Sequence, residues 1–260
     1  METFKDMDSE LFKNFINELA DQSGKYIAES FDKDNAVDLK ADKSPVTEID
    51  RNTELMLRES IKRKFPSHGI IGEEFGREND SAEFVWVIDP IDGTKSFITG
   101  VPLFGTIVAL LKNGEPILGL IDQPILRQRC IGNNFKCWFN GKETRACAHN
   151  TIDGATILTS DNRHAENDYN AENFRELVKK AAIFRSWGDC FGYMLIARRL
   201  AHLMLDARLE VWDLMPLLPI LKGCGATFSD WHGGTNYGKK GLVVGCTKEL
   251  HEYAVKFLNK

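Results

Sequence analysis

Trp86-Val87-Ile88-Asp89-Pro90-Ile91-Asp92-Gly93-Thr94-Lys95-Ser96-Phe97 is the stretch from which the rest of the chain is read. The apolar run from Phe84 to Ile88 has the composition of a buried strand and ends abruptly at Asp89. Pro90 has no N–H to give to a sheet ladder, so the strand is expected to stop there. Asp92-Gly93 then turns the chain, and Thr94 opens a short helix as its N-cap or first-turn residue. Two carboxylates therefore stand at a strand's C-terminal end, beside the amides of Gly93 and Thr94. Oxygen donors suit a hard cation such as Mg²⁺, and helix-start amides suit a phosphate. Asp-Gly is also a common turn pair, so these residues alone leave a plain tight turn open.

Further acidic stretches favour the first reading. Gly72-Glu73-Glu74 follows the apolar pair Ile70-Ile71, Thr47-Glu48-Ile49-Asp50 precedes a helical pattern, and Trp212-Asp213 opens another. With Lys40-x-Asp42-x-Ser44-Pro45-Val46-Thr47 ahead of Asp50, these motifs resemble, in order and along the whole chain, the inositol monophosphatase family of Mg²⁺-dependent, Li⁺-sensitive phosphatases. The resemblance implies a layered α-β-α-β-α sugar-phosphatase fold, usually a homodimer, with two or three Mg²⁺ per active site. It implies that Glu73, Asp89 and the carbonyl of Ile91 hold one ion, and that Asp89, Asp92 and Asp213 hold a second. Glu73 would reach a third ion through water. Thr94, hydrogen-bonded to Asp50, would orient and deprotonate the attacking water, and the Gly93 and Thr94 amides would bind phosphate. Lys40 matches the family's lysine near the metal-bound solvent. So many carboxylates in one place would repel one another without cations, which makes a purely structural role costly.

Three departures from the inositol-phosphatase pattern resemble the histidinol-phosphatase branch. They are Lys95-Ser96-Phe97 followed by Thr99 to Thr106, Trp187-Gly188-Asp189-Cys190-Phe191-Gly192-Tyr193, and the run from Trp212 to Gly223 with Phe228 to Gly233. Histidinol phosphate carries an ammonium and an imidazole, which favour carboxylates in a pocket. Gly188, Asp189, Cys190 and Asp206 are the expected substrate-contacting positions, with Glu210 weaker and solvated. Asp189 also opens a helix, so a simple N-cap is its competing role. The alternatives are an inositol-1-phosphate or general small-phosphomonoester hydrolase, and a catalytically silent regulator or RNA-associated protein on the same fold.

Bulk properties set the frame. The chain has 260 residues, 43% hydrophobic and 27% charged, with a net charge of −5. That is ordinary globular composition without the basic surplus of a nucleic-acid binder. No apolar run approaches the roughly 20 residues that span a bilayer, and the polar, acidic start from Met1 to Glu10 is unlike a signal peptide. The six cysteines form no C-x-x-C pair and are expected to be reduced thiols in a cytoplasmic protein. The histidines lack zinc-type spacing, so any metal should be held by oxygen. The expected partners are a small phosphorylated metabolite and a second copy of the chain, with no nucleic acid and no membrane.

Periodicity divides the chain into an N-terminal α+β half, 1–150, and a C-terminal α/β half, 151–260, in one compact unit. In the first half, Ser9 precedes a helix with Leu11, Phe12, Phe15, Ile16 and Leu19 on one face, reaching Phe31. Residues 32–45 read as a loop. A second helix covers 48–64, with Ile49, Leu57, Ile61 and Phe65 toward the core, and ends at Pro66-Ser67-His68-Gly69. Antiparallel strands follow at 103–111, 116–121, 127–132 and 137–139, around the turns Asn113-Gly114 and Asn140-Gly141. In the second half, strands are expected at 156–160, 184–187, 203–205, 226–229 and 242–245, and helices at 171–182, 190–201, 213–224 and 248–258. His68 reads as an exposed turn residue, Trp86, Trp138, Trp187 and Trp212 as packing, and Glu74 as solvated or behind the site.

Overall fold

The structure, a computed structural model, describes residues 4–31, 33, 37–39 and 45–260. Lys40 lies outside the described residues. The first helix, α1 (Phe4–Ser30), is followed by the short ribbon β1 (Val37–Leu39) and β2 (Pro45–Thr47), then by α2 (Glu48–Lys64). Next come β3 (Gly69–Gly72), β4 (Gly76–Glu78), β5 (Phe84–Asp92) and α3 (Thr94–Ile98). The half closes with β6 (Gly105–Lys112), β7 (Glu115–Gln123), β8 (Gln128–Gly132), β9 (Cys137–Phe139) and β10 (Lys142–Thr144). The C-terminal half runs β11 (Thr156–Leu158), α4 (Asn162–Asp168), α5 (Ala171–Lys180), β12 (Ile183–Arg185), α6 (Asp189–Ala197) and β13 (Leu203–Asp206). It ends with α7 (Val211–Cys224), β14 (Thr227–Ser229), α8 (Tyr237–Lys240), β15 (Leu242–Gly245) and α9 (Lys248–Leu258).

An eight-stranded sheet, β10-β9-β8-β7-β6-β5-β3-β4, is antiparallel throughout except where β3 runs parallel to β5. A five-stranded mixed sheet has the order β12-β11-β13-β15-β14. Strand alternation builds the layers. Trp86, Ile88, Val108, Leu110, Leu118 and Leu120 face one way, onto Phe12, Phe15, Ile16 and Leu19 of α1 and Leu57 and Ile61 of α2. Val85, Val87 and Ala109 face the other way, under Val211, Trp212 and Met215 of α7. On the second sheet Leu158, Met204 and Val244 pack on α6 and α7, while Ile157, Leu203, Leu205 and Val243 pack on α4, α5 and α9. The result is α1/α2, sheet, α6/α7, sheet, α4/α5/α9, which is the expected α-β-α-β-α stack.

Helix α7 seats directly on the first sheet. A Cβ on Gly119 would fall 2.0 Å from the Pro216 carbonyl oxygen, and one on Gly132 would fall 2.3 Å from Ile220 Cα. Bare backbone at these two positions lets the helix approach closely, and so fixes where its N-terminus, with Asp213, comes to rest.

Several expectations are corrected. The strand beginning at Phe84 does not stop at Pro90: β5 reaches Asp92, because the ladder to β6 shifts register between Asp89 and Asp92 and so tolerates a residue without an N–H. Helix α1 begins at Phe4, ahead of Ser9. Two short helices, α4 and α8, and the strands β4 and β10 were not legible from periodicity. Trp187 is exposed, beneath the Arg185 guanidinium, whereas Trp86, Trp138 and Trp212 do pack. All six cysteines are unbridged, with Cys130 and Cys137 sulfurs 3.2 Å apart in the core. Among the described residues no helix is long and apolar enough to cross a membrane.

His68 is also not an exposed turn residue. Its ring stacks between Phe65 and Phe84, at centroid distances of 4.6 and 5.0 Å, and Nδ1 accepts the indole N–H of fully buried Trp86 at 3.1 Å. Burial holds its pKa below the usual 6.5. His68→Phe keeps the stacking but strands the indole N–H, and should cost about 1–3 kcal/mol in urea melts at pH 7.5. Because the folded pKa is depressed, the wild type loses this advantage as pH falls below 6.5, so the gap between the two proteins should narrow there. A gap that is independent of pH would contradict this reading.

Candidate active site

The bulge at the end of β5 places Asp89 and Asp92 together, and α7 brings Asp213 to them. One carboxylate oxygen from each lies within 4.8 Å of the others. Each carboxylate is held by one backbone amide: Asp89 Oδ1 accepts from Ile91 N at 3.0 Å, Asp213 Oδ2 from Glu210 N at 2.8 Å, and Asp92 Oδ2 from Cys190 N at the start of α6. Asp89 and Asp213 are also hydrogen-bonded to each other through their carboxyls. Glu73, whose own amide bonds to the Ile88 carbonyl at 3.2 Å, is hydrogen-bonded through its carboxyl to Asp89.

Desolvation and mutual repulsion push these groups the same way. Asp89 is raised well above the ordinary carboxylate value by burial first, then by Glu73, Asp92 and Asp213. Asp92 is raised by burial, then by Asp189 and Asp213, and Asp213 is pushed by burial up to about 7. Among the described residues no lysine, arginine or histidine forms an ion pair with Asp89, Asp92 or Asp213. A hard divalent cation fits this all-oxygen set better than any soft metal, and it supplies the missing positive charge.

Thr94 is the first residue of α3, after Gly93 at φ 88°. Its hydroxyl donates to the Ile91 carbonyl at 2.9 Å and lies 3.4 Å from Asp50 Oδ1. The other oxygen of Asp50 accepts Thr47 N at 2.8 Å and Thr47 Oγ1 at 2.6 Å, completing the capping box of α2. Burial raises Asp50, and the Thr47 hydroxyl works against the rise. The first amides of α3 have no intrahelical acceptor.

Beside this cluster opens a cavity of about 240 Å³ lined by Lys95, Ser160, Asp161, His164, Asp189 and Asp206, among others. Asp189 sits at φ 49°, and its Oδ2 would lie 3.2 Å from a Cβ on Gly93. It does not cap α6: Gly188 occupies the N-cap position without a side-chain bond, and Asp189 N donates to Ser160 Oγ at 2.7 Å. Burial, with Asp206 second, pushes Asp189 up to about 6.

Three expected substrate contacts have structural partners of their own. Asp206 is buried and accepts from Ser160 N at 2.8 Å, Ser160 Oγ at 3.0 Å and Tyr193 OH at 2.8 Å, so its lone pairs are largely used although it lines the cavity with Asp189. The Cys190 thiol is buried in the core, and only its amide reaches the cluster. Gly188 is a packing glycine, since a Cβ there would fall 2.1 Å from Ser160 Cα. Glu210 is exposed. Ser160, Asp161 and His164 lie in no motif of recognisable spacing, and Tyr193 entered only as the last residue of the 187–193 run. A larger groove, about 510 Å³ between α1 and the β7–β8 hairpin, holds no comparable cluster, and its Arg129 is taken by Asp122, Asp21 and Asn17.

The family model of the inositol monophosphatase family matches residues 8–260, and the chain belongs to that family of phosphatases. Over 233 residues it is 40% identical to the bifunctional phosphatase IMPL2, chloroplastic, of Arabidopsis thaliana, a match that covers 88% of this chain and 66% of that one. The chain thus spans just under two thirds of that relative's length. It is 34% identical over 218 residues to a histidinol-phosphatase of Chlorobaculum parvum, covering 83% of this chain and 84% of that protein. Among solved structures, an inositol monophosphatase from Zymomonas mobilis superposes with a TM-score of 0.83 at 31% identity, covering 96% of this chain and 98% of that one.

If repulsion governs the cluster, Asp92→Asn should stabilise the metal-free protein, by about 1 kcal/mol or more, while an amide oxygen still accepts the Cys190 N–H. Thermal melts in chelator read this directly. A metal-free variant less stable than the wild type would contradict it.

Proposed function

We propose that the protein is a Mg²⁺-dependent hydrolase of a small phosphomonoester, and that its preferred substrate is L-histidinol phosphate, giving L-histidinol and phosphate. Asp89, Asp92 and Asp213, with Glu73 and the Ile91 carbonyl beside them, would hold two or three Mg²⁺. Bound there, Mg²⁺ supplies Lewis acidity and charge neutralisation for the phosphoryl group, the attacking water and the leaving oxygen. The Gly93 and Thr94 amides receive phosphate oxygens. Thr94 Oγ1 orients the water, and its proton passes through that oxygen to Asp50 Oδ1. The new P–O bond forms as the ester P–O bond breaks, and the leaving alkoxide takes a proton from solvent. A homodimer is part of the proposal on the strength of the resemblance, and light scattering reads it.

The observation that carries the substrate choice is the charge of the cavity: five carboxylates line it against Lys95 and Arg208. Asp92 and Asp213 belong to the cation cluster, Asp161 is paired with Arg163, and Arg208 with Asp168. Asp189, which feels the Lys95 charge but forms no ion pair among the described residues, is left facing the place beside Gly93 where a leaving group must emerge, with Asp206 beside it. A cationic leaving group satisfies that carboxylate, whereas a neutral polyol leaves it underused. The similarity to the Chlorobaculum parvum histidinol-phosphatase points the same way, and inositol-1-phosphate is the second candidate substrate.

Steady-state kinetics with Mg²⁺ on histidinol phosphate, inositol-1-phosphate, a nucleotide bisphosphate and fructose bisphosphate test the choice. Histidinol phosphate should give the highest kcat/KM, and equal values for inositol-1-phosphate would overturn it. Asp189→Asn should lower kcat/KM for histidinol phosphate about ten- to a hundredfold, the worth of one charge-assisted hydrogen bond. It should change p-nitrophenyl phosphate little. Asn tolerates the left-handed backbone, so the variant adds no strain at φ 49°. Equal losses on both substrates would rule out a leaving-group contact.

Chelation should abolish turnover, and Asp92→Asn should lower it by several orders of magnitude with the fold intact. LiCl should inhibit at millimolar levels where NaCl of matched ionic strength does not. Full activity in chelator, or equal effects of the two salts, would contradict the cation centre.

A further inference from the structure

Glu54 lies on α2 in phase with Leu57 and Ile61 of the core face, and it is fully buried. Its hydrogen bonds lead to one place. Oε2 accepts Glu74 N at 2.7 Å, Oε1 accepts Phe75 N at 3.2 Å, and Oε1 also accepts Arg58 Nε at 2.7 Å. Arg58, itself buried, donates onward to the Gly76 carbonyl. The residues so gripped form the tight connection between β3 and β4, where Gly72 pairs with Gly76 and Gly76 takes φ 67°. Anion meets the amides of the loop and guanidinium meets the carbonyl that ends it.

Glu73 is the first residue of that loop. Its amide is tied to the Ile88 carbonyl and the next two amides are tied to Glu54, so little backbone freedom is left to it. The fit is close on the other side as well: a Cβ on Gly72 would fall 1.9 Å from Glu54 Oε1. A carboxylate is tolerated in the interior only when its hydrogen bonds are made, and here they are made to the segment that carries Glu73. The Glu73 carboxyl is in hydrogen-bond contact with Asp89. A loop tethered only at its strand ends would leave that contact free to wander.

We propose that Glu54 is a positioning residue for the cation centre: with Arg58 it clamps the 73–75 loop so that Glu73 stays turned toward Asp89. This rests on reading Glu73 as part of that centre. Neighbours that orient a ligand, without touching the ion, typically change metal affinity by about ten- to a hundredfold when mutated.

The test is a Mn²⁺ titration, followed by electron paramagnetic resonance, of the wild type, Glu54→Gln, Glu73→Gln and the double variant. Glu54→Gln should weaken Mn²⁺ binding about tenfold or more in the wild-type background. In the Glu73→Gln background it should change binding less than about twofold, because the ligand it positions is already gone. Glu54→Asp, which keeps a charge opposite Arg58 but is one methylene short of the amides, should also weaken binding. Unchanged affinity in both Glu54 variants, or the same weakening in the Glu73→Gln background, overturns the positioning role while leaving the centre standing. Absence of Mn²⁺ binding in the wild type overturns the centre and this role together. If the variants do not fold, amide exchange in the wild type decides: Glu74 and Phe75 should be protected like β3 amides, and exchange at the rate of an open loop overturns the clamp.

Discussion

Carboxylates held within a few ångströms of one another in a poorly hydrated place repel, and each raises the cost of ionising the next. Asp89, Asp92 and Asp213 are in that situation, with Glu73 hydrogen-bonded to Asp89 and Asp189 near Asp92. The rest of the structure works against their separation. Three different elements each give one amide to one carboxylate: the end of β5 to Asp89, the start of α6 to Asp92, and the start of α7 to Asp213. The layers exist in the form that puts those two helix starts at the end of β5.

That requirement explains features that look unrelated in the chain. Bare backbone at Gly119 and Gly132 lets α7 lie on the sheet, which sets the depth of Asp213. Gly188 lets the start of α6 press on Ser160, and Ser160 with Asp206 and Tyr193 holds the amide of Asp189. One helix start therefore reaches two places: the Cys190 amide holds Asp92, and the Asp189 side chain lines the neighbouring cavity. Stability and function meet at the same backbone positions, which makes substitutions there a poor guide to either one alone.

Much of this was legible in the sequence where a physical signal is strong and local. The unbroken apolar run from Phe84 to Ile88 marked a buried strand, Thr47-Glu48-Ile49-Asp50 stood at the start of α2, and Asn113-Gly114 marked a hairpin whose two residues have φ 50° and 82°. The order of acidic motifs gave the fold through resemblance. What stayed hidden depends on tertiary partners. The bulge that carries β5 past Pro90 is a property of its pairing with β6. Helices α4 and α8 are short and polar, with no periodicity to detect. His68 and Trp187 exchanged expected environments because ring stacking on Phe65 and Phe84 cannot be seen from a turn motif. Asp206 carried the right charge, but its three donors come from elsewhere in the chain. Glu54 left one trace that went unused, an acidic residue in phase with Leu57 and Ile61 on the face read as core.

On the proposed reading, cations hold this cluster together at neutral pH. Diffraction from crystals grown with Mn²⁺, using its anomalous signal, tests it most directly. Strong peaks are expected among the carboxylates of Asp89, Asp92 and Asp213. Well-ordered density for these side chains with no anomalous peak among them, in a crystal saturated with Mn²⁺, would contradict it.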